Sequence, residues 1–374
     1  MGKILIAPDS FKGTLSAGEV CDIIGSAFSD VLDSVDIIKL PVADGGEGLC
    51  ACIHNFLPGC FRRRTVSGVF GEPMTAEYLV AGDTAVIETA SCAGLPLAGE
   101  NKNPELATTR GVGELMLDAV SGGAKKILLG LGGSATNDCG TGLASAFGYR
   151  FTDSDGNTLD PIGKNLGKIA FIIPPENIPD FSLTAACDVK NPLYGETGAA
   201  YVFAPQKGAD GDMVRRLDDG LKNIARVIEK DLGVHVSSIQ GSGAAGGMGA
   251  GCAAFFGAEL KPGIDIILDA AGFDEKAAQA DLVITGEGRL DGQSVNGKVI
   301  SGVAKRAYAL GKKVIAICGS KGDGAENIKE CGVSEMYFSC PAPESFEKIV
   351  RTCREDLYRA AKECAMRFKT QTGE

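Results

Sequence analysis

The sequence predicts a two-domain α/β fold, on three observations. Short apolar runs that lead through a glycine-rich polar loop into a helix recur at both chain ends, at residues 3–7, 35–40, 282–285 and 313–318. That alternation implies a parallel sheet with ligand loops at the carboxyl ends of its strands. Residues 61–98 break the pattern with β-rich runs divided by Gly and Pro, as in antiparallel hairpins. The length of 374 residues also exceeds what a single core usually holds. One α/β domain is therefore expected from residues 1–64 and 281–374, with residues 65–280 inserted as a second, mixed α/β domain and the ligand site in the cleft between them.

Taken in order, residues 3–7 (KILIA) are the first strand and residues 8–13 (PDSFKG) its exit loop. Ser16, with Glu19 three residues on, makes a capping box for a helix ending near Phe28. Residues 35–40 are the second strand, residues 42–48 (VADGGEG) its loop, and a helix follows through Phe56. Residues 108–120 read as a helix because Val112, Leu115, Met116, Ala119 and Val120 share one face, and Gly122 stops it. Ile127, Leu128 and Leu129 then run into Gly130, Gly132 and Gly133, followed by Ser134, Thr136, Asn137 and Asp138. Glycines there leave N–H groups uncovered by side chains, and a strand that ends so before a helix is an anion site.

Residues 183–186 are a further strand, followed by Cys187-Asp188-Val189-Lys190-Asn191, and residues 212–232 are an amphipathic helix capped by Gly233. Residues 239–258 carry no charge, but Gly and Ala dominate them, so they read as a loop plus a buried helix, not a membrane span. After Asp281 the strand–loop–helix pattern returns: 282–285 into Gly286-Glu287-Gly288-Arg289, a helix near 298–310, and 313–318 into Gly319-Ser320-Lys321-Gly322. A long C-terminal helix carries Phe346, Ile349, Val350, Cys353 and Leu357 at helical spacing.

Composition narrows the function. The net charge is −11 with no basic stripe, which argues against nucleic acid and anionic membrane surfaces as partners. Any phosphate must be held by local lysines, backbone N–H groups and Mg²⁺. The 13 cysteines are scattered and odd in number, and His54 and His235 are the only histidines, so a zinc site lacks ligands. Reduced thiols in a cytoplasmic protein are expected, and MGKILIAPDS lacks the apolar region of a signal peptide.

Single motifs carry little. Residues 241–246 fit G-x-G-x-x-G, but with 52 glycines about one such match arises by chance, and no convincing strand precedes it. Residues 130–135 fit the relaxed form after a strand, yet the acids about 20 residues on, Asp153 and Asp155, sit in a turn-like DSDGN. Residues 292–299 nearly match a Walker A loop, with Val299 where the Mg²⁺-binding hydroxyl belongs. What remains is a set of polar loops: Asp9/Ser10/Lys12, Asp44/Glu47, Ser134/Asn137/Asp138, Asp188/Lys190/Asn191, Lys207, and Glu287/Arg289/Asp291 with Lys298. Phosphoryl transfer needs such parts: N–H groups and lysines for phosphate, carboxylates for Mg²⁺, and a carboxylate to receive a hydroxyl proton.

Seven stretches, APDSFKGTLSAGEV, PVADGGEG, GLGGSATNDCGTG, ACDVKNPLYGETGAA, FAPQKGA, GSGAAGGMGAG and VITGEGRLDGQSVNGKV, resemble in order the bacterial glycerate kinase family of glycerate and glyoxylate catabolism. Cys139, where that family often has Gly, is a small departure beside the polar residues. The resemblance implies ATP- and Mg²⁺-dependent phosphorylation of D-glycerate to 2-phosphoglycerate. It also implies a flavodoxin/Rossmann-like parallel-sheet domain with a second α/β domain inserted. On that basis Asp188 is the first choice of base, flanked by Lys190 and Asn191, and Asp138 the second. Lys12 and Arg289, with Ser10 and Asn137, are expected to bind the substrate. Gly132, Gly133, Ser134, Gly243, Gly246 and Gly247 would cradle the ATP phosphates, with Lys207 or Lys298 neutralising them, and Asp9, Asp44 and Glu287 would hold Mg²⁺. Three alternatives stay open: the 3-phosphate as product, an NAD(P)-dependent dehydrogenase of a small hydroxy acid, and a non-catalytic binder of small acids. A homodimer is also left open.

Overall fold

The computed structural model describes residues 2–43, 48–292, 294–295, 299–342 and 344–372. The chain divides into two compact units, Met1–Asp44 with Ile264–Glu374, and Gly45–Gly263.

Among the described residues, the first unit holds a five-stranded, wholly parallel sheet in the order Val35–Lys39, Gly2–Ile6, Leu282–Thr285, Lys313–Cys318, Val333–Phe338. Counted along this unit, the order is 2-1-3-4-5, a doubly wound arrangement. Successive side chains of a strand face opposite ways, and Ile4, Leu5 and Ile6 are all buried, as in a sheet covered on both faces. The helix Ala17–Ser29 begins with the expected capping box: Ser16 Oγ accepts from Glu19 N, and Glu19 Oε2 accepts from Ser16 N at 2.9 Å.

The second unit is built on a mixed sheet, in the order Glu259–Lys261, Ser182–Ala186, Lys126–Gly130, Thr84–Glu88, Pro73–Ala81, Cys60–Ser67. The first four strands are parallel, and the last three form the expected antiparallel hairpins. The helix Gly211–Leu232 starts where Asp210 accepts from Met213 N at 2.8 Å and ends at Gly233, whose φ of 72° is left-handed. Its buried stripe of Val214, Leu217, Leu221, Ile224 and Ile228 supplies one of this unit's cores.

The joins fall elsewhere than at 64/65 and 280/281. The strand Cys60–Ser67 pairs along its length with Pro73–Ala81, and Cys50 in the helix Leu49–His54 donates from Sγ to Val86 O at 3.2 Å. Both segments therefore belong to the second unit. The helices Gly263–Ala270 and Phe273–Gln279 pack on Val299–Ala309, where Arg306 pairs with Asp269 and Asp274 at 2.7 Å each. Pairing partners distant in sequence, which no local pattern shows, set both joins. None of the described helices is long and apolar enough to cross a membrane, and the 13 cysteines are free thiols, most of them buried.

Candidate active site

Each unit carries a cavity at the carboxyl ends of its parallel strands, where open α/β sheets bind ligands. The cavity of the first unit measures about 790 Å³ and is lined by Asp9, Ser10, Lys12, Glu287 and Arg289. These come from the exits of Gly2–Ile6 and Leu282–Thr285, the two strands at which the sheet order reverses. Backbone bonds tie the exits together: Asp9 N donates to Gly286 O at 2.8 Å and Gly319 N to Glu287 O at 3.0 Å. The loops approach so closely that a Cβ at Gly319 would stand 2.3 Å from Gly288 O; only glycine fits there.

Asp9 is nearly buried, and its Oδ1 accepts from Ser10 N at 2.6 Å. Glu287 is equally buried and accepts from Ser294 Oγ. Arg289 is largely exposed, and its Nε lies a loose 3.9 Å from Asp291 Oδ2. The expected substrate-binding side chains Ser10, Lys12 and Arg289 thus share a cavity with the expected metal ligands Asp9 and Glu287. Its other wall consists of residues between Ser339 and Arg359, among them Phe346, Ile349 and Cys353. In the sequence an apolar stripe at helical spacing reads as core, so these residues carry no functional signal there.

The cavity of the second unit is smaller, about 310 Å³. Gly132, Gly133 and Ser134 line it from the exit of Lys126–Gly130, Cys187 and Asp188 from the exit of Ser182–Ala186. Lys207, Phe203, Gln206, Ala244 and Ala245 complete most of its wall. The glycine loop is clamped from behind, with Leu95 N donating to Gly133 O at 2.7 Å and Ala135 N to Ala93 O at 2.8 Å. Asp188 is exposed, and its Oδ1 accepts from Gly263 N at 2.8 Å, which anchors that oxygen. Lys207 is only 3% exposed. Its Nζ donates to Ser134 Oγ at 3.0 Å and to Thr136 O at 2.7 Å. Burial pulls its ammonium down to about 7 from an ordinary 10.5, opposed by the charge of Asp138.

Several expected site residues are not on either wall. Asp138 is fully buried and accepts from Thr109 N and Oγ1 at 2.8 Å each, Gly140 N at 3.1 Å and Gly142 N at 3.3 Å. A carboxylate so enclosed holds the loop to the helix Thr141–Ala146. Burial raises its carboxyl above the usual range, against the pull of those four donors. Asn137 is fully buried, and its amide oxygen and nitrogen meet no partner among the described residues. Lys190 and Asn191 lie just beyond the wall; Asn191 Nδ2 donates to Thr197 O at 2.8 Å. Asp44 and Lys298 lie outside the described residues.

Gly243, Gly246 and Gly247 are buried against neighbouring backbone and do not line the cavity, where their loop contributes Ala244 and Ala245. A short 3₁₀ turn, Val236–Ser238, precedes the loop in place of the strand a dinucleotide fingerprint requires. Ala245, Gly246 and Gly247 form a left-handed turn, with φ of 54°, 69° and 89°. A Cβ at Gly246 would stand 2.1 Å from Thr136 O and 2.6 Å from Asn137 Cα. Gly246→Ala should therefore destabilise the fold by at least about 2 kcal/mol, through the left-handed conformation and the collision together. An unchanged urea midpoint would refute this.

Comparison with known proteins agrees with this architecture. Residues 4–369 match the model of the Glycerate kinase family. The chain is 43% identical to a glycerate kinase of Halalkalibacterium halodurans, over 98% of each chain. It is 41% identical to the glycerate 2-kinase of Escherichia coli, over 97% of each. A crystal structure of a candidate glycerate kinase 2 from Salmonella typhimurium LT2 superposes with a TM-score of 0.83 at 38% identity, covering 100% of both chains. The chain belongs to the glycerate kinase family.

Proposed function

We propose that the protein transfers the terminal phosphoryl group of ATP to the 2-hydroxyl of D-glycerate, giving 2-phosphoglycerate. The observation that carries this reading is the smaller cavity, where a glycine loop, the Lys207 cation and the Asp188 carboxylate share about 310 Å³. Asp188 takes the hydroxyl proton as the new P–O bond forms, held in place by the N–H of Gly263. The Gly132–Ser134 loop and Lys207 oppose the charge on the phosphoryl oxygens. Asp9 and Glu287, both nearly buried on one wall of the larger cavity, are hard oxygen ligands suited to Mg²⁺. That ion is commonly held by one or two carboxylates plus phosphate oxygens and water, and supplies charge neutralisation. No group of three or more His, Cys, Asp or Glu side chains placed to hold a metal occurs among the described residues. The free thiols suit a reducing compartment such as the cytoplasm.

The test is ADP formation from ATP and Mg²⁺ with D-glycerate. Enolase added alone should consume the product; a product that needs phosphoglycerate mutase first is the 3-phosphate, and no ADP formation overturns the reading. In the same assay Asp188→Asn should lower kcat by about 10²-fold or more, and a loss below about tenfold would sink its role as base.

A further inference from the structure

We propose that the larger cavity, in the first unit, seats the nucleoside triphosphate. Its aromatic base would lie against Phe346 and Ile349, with the polyphosphate at Lys12 and Arg289. The inference rests on the kinase reading and names which cavity holds which reactant. It moves Lys12 and Arg289 from the acid's carboxylate to the donor's phosphates and leaves the smaller cavity to the acid and the group it receives.

Three independent observations carry it. The first is place. In a sheet of order 2-1-3-4-5 the crevice opens where the order reverses, between the exits of strands one and three. Here those exits are the loops of Asp9–Lys12 and Glu287–Arg289, and both line this cavity. The second is size. Sites that bury most of a drug-sized molecule span roughly 300–1,000 Å³. The volume of about 790 Å³ accommodates a nucleotide, whereas about 310 Å³ lies at the bottom of that range and suits a three-carbon acid with one phosphoryl group.

The third is the distribution of chemistry along the wall. The strand-exit loops contribute Lys12, Arg289, Asp9 and Glu287; the stretch 341–359 contributes Phe346, Ile349 and Cys353 among charged side chains such as Lys348 and Arg359. A nucleotide calls for both kinds of partner, cations for its anionic chain and an apolar face for its flat ring. Phe346 is 60% exposed although it opens a helix whose later apolar residues, Leu357 and Ala361, are buried. Its ring is set by the first loop, since a Cβ on Gly13 would come within 3.0 Å of Phe346 Cζ. An aromatic face held in that position provides a stacking surface for a base.

The test is ADP affinity by calorimetry on the whole protein without acid, together with photolabelling by 8-azido-ADP. Phe346→Ala should weaken ADP binding about tenfold or more and leave the KM for D-glycerate within about twofold. Because the side chain is largely exposed, the variant is expected to fold, and its urea midpoint checks that. Lys207→Met, in the smaller cavity, should leave ADP affinity within about twofold. The label should fall on residues 341–353. Unchanged ADP affinity in Phe346→Ala, or label on residues 131–134, 187–189 or 203–207, would overturn the assignment while leaving the kinase reading intact. A parent protein that binds no ADP and forms none from ATP would overturn both.

Discussion

Replacing Lys207 with methionine is expected to lower kcat/KM for D-glycerate by about 10²–10³-fold, the usual cost of removing one preorganised charge donor from a phosphoryl site. Stability at pH 7 should move by no more than about 1 kcal/mol. Methionine has a similar shape and removes a cation that burial disfavours, while Ser134 Oγ and Thr136 O lose their donor; the two effects oppose each other. The pH dependence of stability should change instead. Below about pH 7 both folded and unfolded chains carry the Lys207 proton, and the cost of the buried cation is fully present. From there to about 10.5 the unfolded chain keeps a proton that the folded chain has shed. Stability therefore gains up to about 1.4 kcal/mol per pH unit as pH rises through that window. The variant lacks this contribution, so the parent's stability relative to the variant's should rise by up to about 1.4 kcal/mol per pH unit between pH 7 and 9; a constant difference would refute the assignment.

Ligand binding should respond in the opposite sense. An anion placed beside Lys207 raises its pKa, so binding takes up a proton and affinity falls as pH rises through 7.

The parts of this protein legible in the sequence are those set by local chemistry. The runs at residues 3–7, 282–285 and 313–318 are strands because both faces of the sheet are covered, which leaves an unbroken apolar signature. Ser16 and Glu19 mark a helix start because they cap each other within one turn. Polar residues in the loops carry a local signal for the same reason, and Asp9, Lys12, Glu287, Arg289, Ser134, Asp188 and Lys207 all reach a cavity wall.

What the sequence hid depends on tertiary packing. Phe346 and Ile349 belong to the same helical stripe as the buried Leu357, and nothing local says that the stripe's first turns face a cavity. The 241–247 glycines look like a phosphate cradle, and only the fold shows Pro192, Thr136 and Leu193 packed so closely on them that a Cβ would collide. Asp138 and Asp188 are both loop acids, and only the fold shows one enclosed by four donors and the other open to a cavity.

Asp138→Ala should be among the most damaging single changes to stability, about 3 kcal/mol or more, because it strands four buried donors at once. Thr109 is the most dependent on that carboxylate: its hydroxyl accepts from Leu143 N at 2.8 Å and, among the described residues, donates to Asp138 alone. Asp138→Asn keeps the shape and one acceptor oxygen. If that oxygen serves Thr109 and Gly142, the amide nitrogen opposes the N–H of Gly140, so the cost should be about 1–3 kcal/mol and the variant should fold. That makes it the informative substitution for function. The Asp138 charge helps Lys207 keep its proton, so the neutral variant should lose activity at a lower pH than the parent while keeping much of its rate below that point. Were Asp138 the base, the asparagine variant would lose its rate at every pH and the profile would not move. A shifted profile with substantial residual rate would identify Asp138 as a positioning residue acting through Lys207 and the 132–134 loop, and leave proton transfer to Asp188.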